Sequence, residues 1–320
     1  MPLLKIEGEK DEYLFDPTNR EAVLRENGKF GNVYAGLRIS DNAPVVIKHL
    51  NPALLRYSLS LIQFRFEADA GLTHPNLRNT IEYLNIDADH FLIQEFVRGH
   101  ELKDFLTQTG LFRSVSFIVR CMIRVLDALE YLHKKNIIHC DIKPSNILIG
   151  EPAKGDKNFL KHPDIKLIDL GNAMTPLSEF ISTIRPFSFI YSPPEQVLHL
   201  YSLVNPSSDL FALAVTAHEI LTGKNPYGSY HPEKLMHLQV SGDMVEDGNI
   251  PRELMVILKK GAARKKFPLP PNKISAQDQY KTVEEGMKMR YQNAASFRSA
   301  LERFLENYRE QKNFFKCLFG

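Results

Sequence analysis

The amino-acid sequence predicts an α+β protein with two lobes, the first rich in strands and the second mainly helical. Short apolar runs with β-branched residues and glycine turns recur within the first hundred positions. Over residues 117–132, apolar residues recur with the helical period, which indicates a buried helix. A length of 320 residues is expected to form about two domains or one large two-lobed domain, and residues 1–16 are expected to form an edge strand or an arm.

Composition excludes several classes of protein. The 320 residues are 43% hydrophobic and 24% charged, which is ordinary for a soluble globule with a sizeable core. A formal net charge of +2 is too small for a dedicated nucleic-acid surface. The 3 cysteines are widely spaced, as in a reducing compartment, and no apolar run is long enough for a membrane span. The sequence predicts a cytoplasmic protein that binds no nucleic acid and leaves the oligomeric state open.

The most informative segment is 137–149, in which polar residues separate two apolar runs. The runs are short and β-branched, and Pro144 excludes a continuing helix, so the polar residues lie on a loop held at both ends. This loop carries a carboxylate at Asp141, an ammonium at Lys143 and an amide at Asn146. Phosphoryl transfer to a hydroxyl needs one group for the hydroxyl proton, one for phosphate charge and one to help hold a metal.

His-x-Asp-x-Lys-x-x-Asn between two apolar strands resembles the catalytic loop of eukaryotic-type protein kinases, and its Lys-Pro pair resembles the serine/threonine members. The resemblance extends over about residues 22–308 with the motifs in family order, and it implies a β-rich lobe over residues 1–97, with a short N-terminal arm over about 1–16, and a helical lobe over 98–320. It implies that Asp141 orients or deprotonates the acceptor hydroxyl and that Lys143 steadies the γ-phosphate. It also implies that Asn146 holds Mg²⁺ together with Asp169, which begins an Asp-Leu-Gly turn.

The small lobe resembles the ATP-binding part of this family. Gly28 and Gly31 are similar to a Gly-rich loop, whose backbone N–H groups cover the nucleotide phosphates. Lys48 follows on an apolar strand, where the resemblance implies contacts with the α- and β-phosphates and an ion pair with Glu67 on the next helix. These side chains are expected to converge with those of the catalytic loop around a metal-bound triphosphate.

The strand that ends the small lobe resembles the family's hinge. Gln94 is expected to guard the back of the adenine pocket, and backbone groups of Glu95 and Val97 to bond the adenine edge. The resemblance as a whole assigns these residues to nucleotide binding: Gly28, Gly31, Val33, Val46, Lys48, Glu95, Val97 and Leu148.

Other matches in the helical lobe concern support of the catalytic loop. Ser188 matches the hydroxyl residue that supports the charged residues of the loop, and Asp209 matches the aspartate that anchors its backbone. The run 207–209 is also expected to cap the apolar helix that follows. Glu195, in a Pro-Pro-Glu segment, is expected to form a buried ion pair with Arg290. Residues 261–284 are basic and contain prolines, which predicts an extended connection.

Cys140 occupies the position where most family members carry an arginine that binds a phosphorylated loop residue. Its presence indicates activity that is not gated by phosphorylation of the loop between Asp169 and Glu195. The hydroxyl residues of that loop are Thr175, Ser178, Ser182, Thr183 and Ser188.

The sequence predicts an ATP- and Mg²⁺-dependent serine/threonine protein kinase acting on protein substrates, and two alternatives stay open. A pseudokinase scaffold would use the fold for binding only, and the departures from the family pattern that favour it are Glu26, Gly71, Cys140 and Leu170. A small-molecule kinase of the antibiotic-modifying type would share the catalytic loop. The Pro-Pro-Glu segment favours a protein substrate, because that region forms the peptide-docking surface in the family.

Overall fold

The computed structural model describes residues 3–26, 28–156, 158–175, 188, 190–229, 231–268 and 270–308. The chain divides into two compact units, a small unit of Met1–Arg98 with Ile168–Gly171 and a large unit of Gly99–Leu167 with Asn172–Gly320. The small unit is built on a sheet and the large unit consists mainly of helices, so the predicted fold class is confirmed. The boundary predicted at residue 97 does not anticipate that residues 168–171 belong to the small unit.

The described strands are β1 Leu4–Glu7, β2 Glu12–Phe15, β3 Val23–Arg25, β4 Gly31–Arg38, β5 Pro44–Leu50, β6 Thr80–Ile86, β7 Asp89–Glu95, β8 Gly99–Glu101, β9 Ile147–Gly150 and β10 Ile165–Leu167. The described α-helices are α1 Ser58–Asp69, α2 Leu102–Thr109, α3 Val115–Lys134, α4 Pro194–Val197, α5 Pro206–Thr222, α6 Pro232–Ser241, α7 Arg252–Gly261, α8 Ala276–Met287 and α9 Ala294–Asn307.

An antiparallel sheet forms the small unit, with strand order β1-β2-β4-β5-β7-β6 and with β3 paired to β4. The inner strand β5 pairs with β4 and β7, and its Val45, Val46 and Ile47 are all buried. Both faces of β5 are therefore covered, which explains why its sequence is a continuous apolar run rather than an alternating one. Lys48 is the next residue of the same strand and pairs with Val33 of β4 and Leu92 of β7.

The first strands are an integral part of this sheet rather than an arm. Ile6, Tyr13 and Phe15 are buried in the core cluster that also contains residues of β4, β5 and β7. The turn between β1 and β2 is held by Glu82, whose Oε2 accepts the backbone N–H groups of Glu9 and Lys10 at 3.0 and 3.2 Å. The Tyr13 hydroxyl donates to the same carboxylate.

In the large unit, α3 packs against α5 and α9, and the three-stranded sheet β10-β9-β8 carries the end of the catalytic-loop segment. The helix α5 begins earlier than its sequence suggests. Its cap is Asn205, whose side chain accepts the N–H of Ser207, and Pro206 occupies the first helical position. The predicted cap at 207–209 is therefore wrong, because proline at that first position lets the helix start one turn earlier.

The connection predicted as extended over residues 261–284 is partly helical. The helix α8 covers Ala276–Met287, and the Ser275 hydroxyl caps it by accepting the N–H of Asp278 at 3.1 Å. Only the first part of the predicted connection lacks α-helix in the described residues. The Ser-x-x-Asp pattern at 275–278 is a helix-start signal, and it outweighs the weak apolar periodicity of the segment.

Candidate active site

Lys48 and Glu67 form an ion pair in the small unit. Lys48 lies on β5 between Val33 of β4 and Leu92 of β7. Its Nζ is 3.1 Å from Glu67 Oε1 and 3.0 Å from Oε2, and Glu67, on α1, is only 5% exposed. The pairing that the family resemblance implies is present, and it fixes the lysine ammonium at one position on the sheet.

Two further donors complete the surroundings of the Glu67 carboxylate. The Leu170 N–H donates to Oε1 at 2.6 Å, and Gln94 Nε2 donates to Oε2 at 2.5 Å. Gln94 is buried, and its Oε1 has no hydrogen-bond partner among the described residues. A polar residue within the apolar strand β7 indicates that Gln94 makes a buried hydrogen bond. The sequence alone does not identify Glu67 as its partner.

Asp169 lies beside two cations in the small unit. Its Oδ1 is 3.6 Å from Lys48 Nζ, and its Oδ2 is 3.6 Å from Arg25 Nη1. Its φ of 69° places it in the left-handed region, which is uncommon for a residue other than glycine. Sequence reasoning missed Arg25, because only the folded sheet brings β3 close to residue 169. We call Lys48, Glu67, Gln94 and Asp169 the Lys48 cluster.

The glycine turn between β3 and β4 requires glycine at one position in particular. Gly31 has a φ of 139°, and a Cβ there would lie 2.2 Å from a backbone carbonyl oxygen of the paired strand β5. The Gly31 N–H donates to the Gly28 carbonyl at 3.1 Å, which closes the turn. Beyond it, Lys29 Nζ donates to the Gly171 carbonyl at 2.7 Å, and the Phe30 ring occupies the space next to Gly171.

The remaining residues assigned to the nucleotide lie on strands or next to them: Val33 on β4, Val46 on β5, Glu95 at the end of β7, Val97 just after it, and Leu148 on β9 of the large unit. The Glu95 N–H donates to the Asn79 carbonyl at 2.9 Å. The Glu95 N–H is therefore already bonded within the small unit. The nucleotide-binding roles of these residues stay predictions.

Three polar side chains of the catalytic loop meet Ser188 in the large unit. Asp141 Oδ2 accepts Lys143 Nζ at 2.8 Å and Asn146 Nδ2 at 3.0 Å, and its Oδ1 accepts the Ser188 hydroxyl at 2.5 Å. Lys143 Nζ is also 3.1 Å from Ser188 Oγ, so the predicted support by Ser188 is confirmed. We call Asp141, Lys143, Asn146 and Ser188 the Asp141 cluster. Its carboxylate is fixed by three donors before any substrate binds.

Asp209 holds the backbone of the same loop. Its Oδ1 accepts the Cys140 N–H at 2.8 Å, and its Oδ2 accepts the His139 N–H at 2.9 Å. The same Oδ2 is 2.8 Å from His133 Nε2. The predicted anchoring by Asp209 is confirmed, and because its side chain is buried, this carboxylate has a rigid position.

The ion pair predicted between Glu195 and Arg290 is also confirmed. Arg290 Nη1 and Nη2 are 2.6 and 3.1 Å from the two Glu195 oxygens, and both side chains are buried. The Ser208 hydroxyl adds a third bond to Glu195 at 2.8 Å. This arrangement fixes the short helix α4 on the body of the large unit.

The donor atoms present suit Mg²⁺. Asn146 Nδ2 donates to the Asp141 backbone carbonyl at 2.8 Å as well as to the carboxylate, which turns the amide oxygen away from them. That oxygen is buried and has no hydrogen-bond partner among the described residues. An amide oxygen on Asn146 and a carboxylate on Asp169 are hard oxygen ligands of the kind that Mg²⁺ prefers.

Cys140 is buried in an apolar cluster with Ile138 and Met174, against which Tyr201 and Val204 pack. Of the loop hydroxyls, Ser178, Ser182 and Thr183 lie outside the described residues.

Comparison with known proteins agrees with these arrangements. The family model of the protein kinase domain matches residues 26–301. An Aurora kinase of Dictyostelium discoideum is 28% identical over 239 residues, which are 73% of this chain and 58% of that protein. The serine/threonine-protein kinase PrkC of Bacillus subtilis is 28% identical over 260 residues, 78% of this chain and 38% of that protein. The serine/threonine-protein kinase pkn3 of Myxococcus xanthus is 30% identical over 218 residues, 65% of this chain and 38% of that protein.

The chain belongs to the protein kinase domain family, because the family model matches most of its length. It spans between 38% and 58% of the length of the three relatives described above. No helix among the described residues is long and apolar enough to cross a membrane.

Proposed function

We propose that this chain is a serine/threonine protein kinase, which transfers the γ-phosphoryl group of ATP to serine or threonine hydroxyls of protein substrates. The observation that carries this proposal is the Asp141 cluster, in which a carboxylate, an ammonium and an amide meet within 3.0 Å. The names of the bacterial relatives, both serine/threonine-protein kinases, support the choice of acceptor.

Asp141 is suited to accept the proton of an acceptor hydroxyl. Its Oδ1 already accepts a hydroxyl, that of Ser188, and an incoming serine or threonine offers the same chemistry. As the acceptor oxygen bonds to the γ-phosphorus, its proton passes toward Asp141 and the bond from phosphorus to the ADP oxygen breaks. Lys143, 2.8 Å from Asp141 Oδ2, offers the positive charge that steadies the transferring phosphoryl group.

The Lys48 cluster is suited to hold the nucleotide. Glu67, which also accepts the Gln94 amide and the Leu170 N–H, orients Lys48, whose ammonium would bind the α- and β-phosphates. Asn146 and Asp169 would hold Mg²⁺ through their oxygens. When bound, the ion would neutralise negative charge on the phosphates.

The test is to incubate the purified chain with Mg²⁺ and radiolabelled ATP, with and without a mixture of acceptor proteins, and to identify the labelled amino acid. We expect acceptor-dependent labelling of serine or threonine that Asp141→Asn abolishes. Nucleotide binding without turnover would instead indicate a pseudokinase. Turnover stimulated by an aminoglycoside, but by no protein, would indicate a small-molecule kinase.

A further inference from the structure

The residue immediately before Asp141 has a strained backbone. Cys140 has a φ of 64°, in the left-handed region that residues with a Cβ rarely adopt. Such a conformation persists only where the surroundings restrain it. Because Cys140 and Asp141 share a peptide bond, the restraint on Cys140 also sets the direction in which the Asp141 side chain leaves the backbone.

Both peptide groups of Cys140 are fixed by buried side chains. Its N–H donates to Asp209 Oδ1 at 2.8 Å, and its carbonyl accepts Gln196 Nε2 at 3.0 Å. The family resemblance assigns the first of these bonds and gives no role to Gln196. Gln196 is 6% exposed, so its amide has little access to water as an alternative partner.

The helix that carries Gln196 is rigidly placed. Gln196 directly follows Glu195, whose carboxylate is held by the Arg290 guanidinium and the Ser208 hydroxyl. The Gln196 backbone N–H also donates to the Pro193 carbonyl at 3.0 Å. An amide on such a fixed helix can hold a strained peptide plane, whereas an amide on a mobile surface segment could not.

We propose that Gln196 is a positioning residue for phosphoryl transfer: its side-chain amide fixes the Cys140–Asp141 peptide plane and thereby aims the Asp141 carboxylate. The side-chain partners of Asp141 fix the carboxylate end, and Gln196 fixes the backbone end. This inference rests on the proposed function for its effect on turnover. Its structural part, the restraint on the loop, can be measured without turnover.

The first measurement is the kinetics of Gln196→Met, which keeps the length of the side chain and removes the donor. We expect kcat to fall about tenfold while KM for ATP changes less than about twofold. The Asp141 carboxylate would lose its orientation, whereas the residues proposed to contact the nucleotide would stay in place. Gln196→Leu is the second variant if the methionine variant does not fold. Gln239→Leu is the matched control, since Gln239 is also buried and donates to a backbone carbonyl, that of Ser192 at 3.5 Å.

The decisive comparison uses Cys140→Gly, because glycine adopts a φ of 64° without the steric cost of a Cβ. If Gln196 restrains a strained peptide, its loss should matter much less in the Cys140→Gly background. We expect Gln196→Met to lower kcat about tenfold in the native background and less than about threefold in the Cys140→Gly background. A loss of equal size in both backgrounds, or no loss in the native background, would overturn the proposal.

A second readout is alkylation of Cys140 by iodoacetamide, followed peptide by peptide by mass spectrometry. Cys121 is the internal reference. It lies on α3 and is fully buried, and this burial raises the pKa of its thiol. We expect Gln196→Met, and not Gln239→Leu, to speed Cys140 alkylation relative to Cys121. Unchanged labelling overturns the proposal even if the chain shows no kinase activity, so this result is separate from a failure of the proposed function.

Discussion

The Asp141 cluster and the Lys48 cluster are built in different ways. Asp141 has a side chain only 4% exposed and accepts three donors at 2.5–3.0 Å. Asp169, in the Lys48 cluster, has a side chain 26% exposed, faces two cations at 3.6 Å and accepts the Gly171 N–H at 3.4 Å. The Asp141 carboxylate is thus almost fully buried among three close side-chain donors, whereas the Asp169 carboxylate is partly exposed and lies 3.6 Å from its two cations.

The difference suits the two tasks proposed for these carboxylates. A group that orients a hydroxyl proton gains from a fixed position, because misplacement lowers the rate directly. A group that takes up a metal with each nucleotide must exchange partners, and contacts at 3.6 Å are easily exchanged. The structure therefore suggests one preset cluster and one that adapts to its ligand.

The largest effects on activity are expected when each of the two carboxylates is removed, and they test this contrast directly. We expect Asp141→Asn and Asp169→Asn each to lower kcat by about a thousandfold or more, because both are proposed to act in the transfer step. Only Asp169→Asn should weaken Mg²⁺-dependent ATP binding, measured by calorimetry at several Mg²⁺ concentrations. Equal weakening of nucleotide binding in both variants would remove the proposed division of tasks.

The next effect concerns the buried support of the large unit. Arg290→Met leaves the Glu195 carboxylate buried without its cation, which should lower the free energy of unfolding by about 3–5 kcal/mol. Lys288→Met is the matched control, since its pair with Glu284 at 3.0 Å is exposed and should contribute about 0.3–0.5 kcal/mol. Urea denaturation measures both, and similar losses would contradict the idea that the Asp141 cluster rests on a rigid scaffold.

A smaller effect is expected in the Lys48 cluster. Gln94→Leu removes one of the donors to Glu67 but leaves Lys48 and the Leu170 N–H in place, so KM for ATP should rise about three- to tenfold. Thr80→Val is the control: Thr80 Oγ1 accepts Gln94 Nε2 at 3.2 Å, and its removal spares the bond to Glu67. Steady-state kinetics at varied ATP separate the two variants. A KM that moves equally in both would rule out a specific role for Gln94.

The smallest expected effect is that of phosphatase treatment. Cys140 packs against Ile138 and Met174 and offers no cation to a phosphorylated loop residue. We expect turnover to change less than about twofold when phosphates are removed, because no arginine at this position needs a phosphate partner. The assay compares turnover before and after treatment, with intact mass as the check on dephosphorylation. A collapse in activity would refute this prediction.

The sequence predicts the catalytic loop well because its chemistry is local. Asp141, Lys143 and Asn146 lie within six positions, and Pro144 with two apolar flanks leaves little choice of backbone. The strands and the long helices follow from apolar patterns in the same way, since those patterns record which face is buried.

Contacts between distant segments could not be predicted from single residues. Gln94, Arg25 and Gln196 each meet a partner more than 25 positions away, and nothing in their own neighbourhood identifies that partner. The helix α8 was missed for another reason. Its apolar periodicity is weak, and its start depends on the Ser275 cap and on packing of Val283 and Met287 against Leu203.

The hairpin formed by β1 and β2 has a practical consequence for anyone who shortens the chain. The family match begins at residue 26, so trimming to it would delete Ile6, Tyr13 and Phe15. Their removal would expose Tyr34 and Phe91 and would remove β2, the pairing partner of part of β4. The Glu82 carboxylate would also lose the Glu9 and Lys10 N–H groups. A fragment cut at that boundary is expected to be poorly soluble, because an unpaired strand edge beside exposed aromatic rings favours self-association.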